Sequence, residues 1–241
     1  MEDCWKNVTR IQENRFDSLP VLYEISGCSC NNNCDGNCSC CQLSHRAEHI
    51  FDNQGRIRTE FLKELDLLPS IYECHSQCRC HGLLCGNSSR VLDVTSFVIQ
   101  KTRDKGYGLF ATVDIPAGSV VVEYVGEVIR HKEANKRLEA SDMVYILEIR
   151  EQYTNMTIRT CIDATNFGNE SRFINHACES NCGILLVRKG SIIPHVFFIA
   201  KRLIKKGEEI TIHYGGVSIP SKRVPCRCGC SSCCGFIPFS I

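Results

Sequence analysis

Nineteen cysteines are the most unusual feature of this chain of 241 residues, and thiolates at short spacing are ligands for zinc. They fall in two clusters, and only Cys4, Cys161, Cys178 and Cys182 lie outside them. A disulfide-rich secreted domain is the alternative, but the opening MEDCWKNVTR is too polar for a signal peptide. We therefore expect reduced thiols that hold metal.

The first cluster has nine cysteines in groups of five and four, with Cys41 beside them. Nine thiolates fill the twelve ligand positions of three tetrahedral zinc ions when three of them each bridge two metals. The C-x-C pairs would place neighbouring thiolates on adjacent metals. The pattern predicts a trinuclear zinc cluster whose ligands are Cys28, Cys30, Cys34, Cys38, Cys40, Cys74, Cys78, Cys80 and Cys85.

The second cluster offers three ligands in C-x-C-x4-C form, Cys226, Cys228 and Cys233, where a structural zinc needs four. The fourth comes from elsewhere, and spacing alone leaves Cys230 and Cys234 open beside Cys178. Four zinc ions on thirteen thiolates change the formal charge from +1 to about −4. A mildly acidic protein favours a lysine-rich peptide as partner, and we expect no strong nucleic-acid binding.

Three further segments have residue types suited to a catalytic site. They are the G-x-G turn at 105–108, the RFINH segment at 172–176 before Cys178, and the Tyr214-Gly215 pair ahead of the second cluster. Taken singly, a histidine or tyrosine of this kind is more often a core residue. Their order along the chain, together with the cysteine frames, indicates one composite site.

Short β-strands with few helices are the elements that must position these groups. No apolar run reaches the roughly 18 residues of a membrane span, so we expect no membrane partner. Glycine-containing turns are predicted at 116–118 and 206–207. The patterns predict an amphipathic helix at 59–68, an exposed helix at 131–140, and strands at 95–102, 106–113, 119–129, 145–150, 157–164 and 195–204.

Over residues 25–238 the chain resembles SET-domain lysine methyltransferases, through GYGLF, EYVGE, RFINHAC and the cysteine frames. The segments CNNNCDGNCSC, QLS, IYEC and GRI resemble the suppressor-of-variegation class. YILEIRE and CRCGCSSCCGFIPF are similar to the SET portion of SET–mariner transposase fusion proteins. The resemblance implies a mainly β SET-domain fold of small curved sheets with short helices. Its parts are an N-terminal lead-in (1–25), a trinuclear zinc pre-SET cluster (26–90), a SET domain (91–216) and a single-zinc post-SET motif (222–238).

The same resemblance implies methyl transfer from S-adenosylmethionine to a histone tail, typically at lysine 9 of histone H3. It implies a monomer on chromatin in the nucleus. Tyr214 matches the catalytic tyrosine, assisted by Tyr145, and Cys178 completes the post-SET zinc site. Tyr145, Phe167 and Ile212 would line the channel for the substrate lysine. The positions matching cofactor-binding residues are Lys105, Gly106, Tyr107, Tyr145, Arg172, Asn175 and His176.

Two residues beside Tyr214 depart from the family pattern. Ile212 stands where Phe or Tyr is common, which leaves room for di- or trimethylated products, and His213 replaces an acidic residue. These departures motivate a second hypothesis, a catalytically weak chromatin-binding module with the same fold. Another histone H3 lysine or a non-histone protein is an alternative substrate. A zinc-dependent DNA-binding protein is a third hypothesis, which the expected negative charge disfavours.

Overall fold

The computed structural model describes residues 2–16, 24–31, 34, 37–44, 49–80, 85–140, 145–215 and 224–238. The described residues form the mainly β architecture that the sequence predicts. Its strands are β1 (Thr9–Arg10), β2 (Ile71–Tyr72), β3 (Phe97–Lys101), β4 (Tyr107–Ala111), β5 (Val120–Tyr124), β6 (Glu127–Ile129), β7 (Ile146–Gln152), β8 (Thr157–Asp163), β9 (Phe167–Gly168), β10 (Asn175–His176), β11 (Cys182–Arg188), β12 (His195–Ala200) and β13 (Glu209–Ile212).

Helices are few and short. The α-helices are α1 (Ser39–Leu43) and α2 (His131–Ala140), and 3-10 helices span Glu2–Trp5, Thr59–Leu67, Val94–Ser96 and Glu170–Phe173. None of these, within the described ranges, is long and apolar enough to cross a membrane. The predicted helices at 59–68 and 131–140 are confirmed, the first of them in 3-10 form.

The strands form four small sheets, one of which places the RFINH segment beside the residues that precede Tyr214. Two sheets have four strands each, in the orders β10-β13-β4-β3 and β2-β11-β12-β5. A three-stranded sheet has the order β6-β8-β7, and β1 pairs with β9. The parallel pairing of β10 with β13 sets His176 opposite Ile212, although 36 positions separate them in sequence.

The predicted strand at 119–129 is divided in two. β5 pairs with β12, whereas β6 pairs with β8 in another sheet, and Gly126 lies between them. A Cβ at Gly126 would lie 2.4 Å from the backbone oxygen of Asp163, which is closer than any side chain tolerates. Glycine therefore lets the chain pass from one sheet to the next at this point.

The sheet that contains β11 and β12 is buried on both faces. Phe197 packs in one apolar cluster with Leu185 and Ile71, and its neighbour Phe198 packs in another with Leu109 and Ile210. A strand with two buried faces shows a continuous apolar run and no alternation. β12 has such a run and was predicted, whereas β11 and β13 were not.

Residues 2–16, expected to be an extended lead-in, are attached to the body of the protein. Thr9 and Arg10 pair in parallel with Phe167 and Gly168. The boundary between the SET and post-SET parts, 216–222, lies outside the described residues.

Candidate active site and metal centres

Tyr214 lies two residues beyond the end of β13, and hydrogen bonds fix both its backbone and its side chain. Its backbone N–H donates to Nδ1 of His176 at 3.2 Å. Its hydroxyl donates to the backbone carbonyl of Ile174 at 2.9 Å. Burial, and then the proximity of Tyr145 and Glu209, raise the pKa of the Tyr214 phenol. The hydroxyl is therefore protonated at neutral pH and acts as a hydrogen-bonding group, not as a base.

A second tyrosine, Tyr124 at the end of β5, is buried and belongs to the same site. Its hydroxyl donates to the backbone carbonyl of Tyr145 at 2.5 Å. Burial, followed by electrostatic interactions with Tyr214 and Asp163, raises the pKa of Tyr124. Our sequence analysis did not single out Tyr124. The motif EYVGE contains it, but only the packing of β5 shows that its hydroxyl reaches the site.

Arg172 packs its guanidinium on two aromatic rings. The guanidinium carbon lies 4.0 Å from the ring centroid of Tyr145 and 5.0 Å from that of Phe173. Its Nε donates to the backbone carbonyl of Ala164 at 2.9 Å, and the residue is buried. Arg172 therefore holds the Tyr145 ring in place by a cation–π contact.

Glu209 connects the G-x-G turn to β10. Its carboxylate forms an ion pair with Lys105 and accepts a hydrogen bond from Nδ2 of Asn175 at 2.8 Å. The same Asn175 amide donates to the backbone carbonyl of Tyr107 at 3.0 Å. A Cβ at Gly108 would lie 2.7 Å from Glu209 Oε1, so a larger residue there would displace this carboxylate. Sequence analysis named Lys105 and Asn175 but missed Glu209, which positions both.

His176 lies between the tyrosine and the second cysteine cluster. Burial, followed by the charges of His213 and Lys105, lowers the pKa of His176 to about 4, so the ring is neutral. Because Nδ1 accepts the N–H of Tyr214, the ring hydrogen is on Nε2. Nε2 lies 3.5 Å from Sγ of Cys178. The imidazole thus joins the backbone of Tyr214 to a cysteine that could hold metal.

The two remaining predicted channel residues have different surroundings. Ile212 is buried opposite His176 in the β10–β13 pair, two residues before Tyr214. Phe167 lies in β9, where the guanidinium carbon of Arg15 is 4.0 Å from its ring centroid. His213 packs edge-on against His176 at 5.0 Å, and its Nδ1 accepts the N–H of Gly215. The channel role of Ile212 and Phe167 stays a prediction.

The first cysteine cluster is a compact group of free thiols. All nineteen cysteines are free, which excludes the disulfide alternative for this structure. Sulfur–sulfur distances include 3.1 Å for Cys34–Cys80, 3.4 Å for Cys34–Cys74 and 3.9 Å for Cys28–Cys74. A tetrahedral zinc with Zn–S bonds of about 2.3 Å separates its sulfurs by about 3.8 Å. The donor set therefore fits zinc.

Shared ligands connect the possible zinc positions in this cluster. Three sets of four sulfurs lie close enough to hold one ion each, and Cys28, Cys34 and Cys74 belong to more than one set. Cys85 is outside these sets but lies 3.7 Å from Cys80. Cys41 is buried and lies 3.9 Å from Nδ1 of His49, apart from the sets. Cys28 belongs to all three sets and Cys34 and Cys74 to two each, so the cluster offers shared thiolates of the kind that bridged zinc ions need.

The structure brings Cys178 beside the three spaced cysteines of the second cluster. Its sulfur and those of Cys226, Cys228 and Cys233 all lie within 4.8 Å of one another, and Cys230 and Cys234 are not in that set. Burial disfavours the thiolate of Cys228, but backbone N–H groups of residues 178 and 230 outweigh it and lower its pKa to about 6. A thiol that ionises near neutral pH is suited to metal binding.

This fold and site define a SET-domain methyltransferase. The SET domain family model matches residues 106–215. Mouse histone-lysine N-methyltransferase SETMAR is 34% identical over 244 residues, covering 92% of this chain and 77% of the mouse protein. The chain therefore belongs to the SET-domain family of histone-lysine N-methyltransferases, enzymes that use S-adenosylmethionine.

Solved structures of two relatives have the same architecture. The methyltransferase domain of human SETMAR has a TM-score of 0.80 and 30% identity, covering 96% of this chain and 89% of that one. KRYPTONITE, solved with mCHH DNA, an H3(1-15) peptide and SAH, has a TM-score of 0.77 and 27% identity, covering 97% of this chain and 48% of that one. These likenesses confirm the mainly β SET fold expected from the sequence.

Proposed function

We propose that this chain methylates lysine 9 of the histone H3 tail, on chromatin in the nucleus. The observation that carries the proposal is the Tyr214 hydroxyl, which donates to the Ile174 carbonyl beside Tyr145 and Tyr124. The family of the chain supplies the reaction class, and the H3(1-15) peptide in the KRYPTONITE structure supports the choice of substrate.

Seven residues are proposed to hold S-adenosylmethionine. Cationic Arg172, neutral His176 and the aromatic ring of Tyr145 suit a ligand with a carboxylate and an adenine ring. A Cβ on Gly106 would meet no atom within 4 Å, so this side of the turn is open to a ligand. When bound, S-adenosylmethionine supplies an electrophilic methyl carbon on a sulfonium. The proposed residues are Lys105, Gly106, Tyr107, Tyr145, Arg172, Asn175 and His176.

Positioning is the main catalytic task of these side chains. Because the Tyr214 hydroxyl donates to Ile174, its oxygen can accept a hydrogen bond from the substrate amine and orient the nitrogen lone pair. Tyr145, Ile212 and Phe167 are proposed to line the lysine channel, and Tyr124 joins them on the basis of its hydroxyl contact. Apolar and aromatic walls remove water, which lowers the pKa of the amine so that its proton leaves to solvent before transfer.

Zinc is proposed to hold the flanking parts around the SET domain. Residues 26–90 would bind three ions through their nine clustered cysteines, and residues 222–238 would complete one site with Cys178. The sulfur distances and the recurring Cys28, Cys34 and Cys74 support this stoichiometry. We assign residues 91–216 to the SET domain and residues 1–25 to the N-terminal part.

An extended histone tail is proposed to bind along β7. This strand follows Tyr145 directly and, among the described residues, forms the edge of its three-stranded sheet, a position at which an extended peptide can add as a further strand. The negative charge expected after zinc binding, about −4, favours a lysine- and arginine-rich tail. We expect the protein to act as a monomer and to bind DNA weakly.

Mass spectrometry of modified H3 peptides tests the proposal. The purified chain is incubated with S-adenosylmethionine and an H3(1-15) peptide, and the methylated residue is located by fragmentation. Two matched peptides carry arginine at lysine 9 or at lysine 4. Methylation that disappears only with the first replacement supports the proposal. Methylation of another lysine contradicts the site, and cofactor binding without any transfer identifies a chromatin-binding module instead.

A further inference from the structure

The N-terminal segment contacts two elements that flank the candidate site. The N–H of Thr9 donates to the carbonyl of Asn166 at 2.8 Å, and the N–H of Ile11 donates to that of Gly168 at 3.0 Å. Further along, Arg15 exchanges backbone hydrogen bonds with Gly126 and Val128, at 2.9 and 2.8 Å. We call residues 2–16 the N-terminal strap. The strap pairs with both β9 and β6.

Side chains of the strap reach the segment between β9 and β10. Trp5 packs edge-on against Phe173, with ring centroids 5.1 Å apart. Arg10 stacks on the Trp5 ring at 4.8 Å and forms an ion pair with Glu170. The 3-10 helix Glu170–Phe173 has only four residues, which is too short to be stable alone. Its position therefore depends on what packs against it.

Phe173 connects this packing to the proposed cofactor residues. Its ring is buried and lies edge-on to the ring of Tyr107 in the G-x-G turn, at a centroid distance of 6.2 Å. The guanidinium of the preceding Arg172 covers both Phe173 and Tyr145. A displacement of Phe173 would change the packing around Tyr107 and Arg172 together.

We propose that the N-terminal strap is a functional part of the cofactor site, with Trp5 as a positioning residue that sets the place of Phe173, Arg172 and Tyr107. The inference rests on the proposed function, because those residues are assigned to S-adenosylmethionine. Neither the resemblance nor the pattern of the sequence assigned a role to Trp5.

Trp5 is the only tryptophan of the chain, so its emission reports on the strap without any label. Saturating the zinc-loaded protein with S-adenosylmethionine is expected to change the intensity or maximum of that emission. Trp5→Ala is expected to raise the calorimetric Kd for the cofactor about three- to tenfold, the worth of one aromatic pair. Trp5→Phe should recover most of the affinity. Lys6→Ala, an exposed neighbour on the strap, is the matched control and should bind as the wild type does.

Kinetics separate positioning from a general loss of stability. If the strap positions the cofactor site, KM for S-adenosylmethionine rises in Trp5→Ala while KM for the peptide and the zinc content stay unchanged. A decrease in kcat alone, in proportion to the unfolded fraction of Trp5→Ala, contradicts the inference. An unchanged Kd for the cofactor in a folded Trp5→Ala protein contradicts it as well. Failure of the wild type to bind the cofactor defeats the proposed function itself. If the wild type binds the cofactor and transfers methyl groups, and Trp5→Ala has the same Kd and KM, only the proposed role of the strap is contradicted.

Discussion

His176 accepts the backbone N–H of Tyr214 at its Nδ1 atom, 3.2 Å away, while its Nε2 atom lies 3.5 Å from the sulfur of Cys178. One neutral imidazole therefore contacts both Tyr214, the proposed catalytic tyrosine, and Cys178, a proposed ligand of the post-SET zinc. A ring nitrogen that donates to a thiolate stabilises that thiolate as a ligand. Folding of the post-SET motif and placement of Tyr214 are consequently linked.

Removal of one post-SET ligand should cost one zinc ion and most of the activity. Cys178→Ser takes away one of the four sulfurs that lie within 4.8 Å of one another, so native mass spectrometry should show three zinc ions where the wild type shows four. Cys234→Ser, an exposed cysteine outside the set, is the control and should retain four. Loss of zinc from Cys234→Ser but not from Cys178→Ser would show that the fourth ligand is wrongly assigned.

The side chain at position 212 should influence how many methyl groups are added. Ile212 is buried two residues before Tyr214, and an aromatic ring there would occupy space needed by a methylated amine. Ile212→Phe is expected to shift the products toward monomethyl-lysine, by about tenfold in the ratio of mono- to dimethyl product. Ile212→Val, which enlarges the space, serves as the control. Identical product distributions in all three proteins, measured by mass spectrometry of the peptide, would remove Ile212 from the channel.

Local patterns predicted the elements whose neighbours lie close in sequence. The predicted helix at 131–140 coincides with α2, because its exposed, charged residues and its single buried Ala134 follow helical spacing. The predicted strand at 195–204 ends at Ala200, and the break at Gly126 and the strand β11 were not predicted. The break at Gly126 depends on its close approach to the backbone of Asp163, which leaves no periodic pattern in the residues themselves.

The residues of the candidate site were likewise predicted only in part. Motif spacing found Tyr214, Asn175 and the cysteine frames, but the choice of Cys178 over Cys230 came from the family resemblance. The chain must bring residue 178 beside residue 226, and only tertiary structure shows that this happens. Glu209 and Tyr124 were missed for a related reason. Their roles depend on contacts with residues that are distant in sequence. The sequence around a glutamate or tyrosine in a strand does not indicate such contacts.

Acid should destabilise the fold partly through Glu208. Burial opposes ionisation of this carboxylate, but hydrogen bonds from Arg202, Asn181 and the backbone N–H of Lys205 outweigh it and lower its pKa from 4.5 to about 2. The folded state therefore keeps Glu208 charged when the unfolded chain has bound a proton. Its contribution, about 1–3 kcal/mol, is present above pH 4.5 and is lost as the pH falls toward 2.

Denaturant unfolding at several pH values measures this contribution. The difference in unfolding free energy between wild type and Glu208→Gln should shrink steadily between pH 4.5 and pH 2, because Glu208 loses its charge in the folded protein over this range. Zinc loss affects both proteins alike and cancels in the difference. Glu139→Gln, at an exposed position in α2, is the control and should show no such trend. A difference that stays constant over this interval would mean that Glu208 titrates normally in the folded protein.

Single-turnover methyl transfer by the wild type and by Tyr214→Phe tests the central claim most directly. The substitution removes only the hydroxyl that bonds Ile174. We predict that the rate on the H3 peptide falls about 10²- to 10³-fold, the cost of losing one well-placed hydrogen-bonding group. Zinc content and cofactor affinity should stay unchanged, and Tyr153→Phe, at the exposed tip between β7 and β8, should transfer at the wild-type rate. Equal rates for the wild type and Tyr214→Phe would contradict the account.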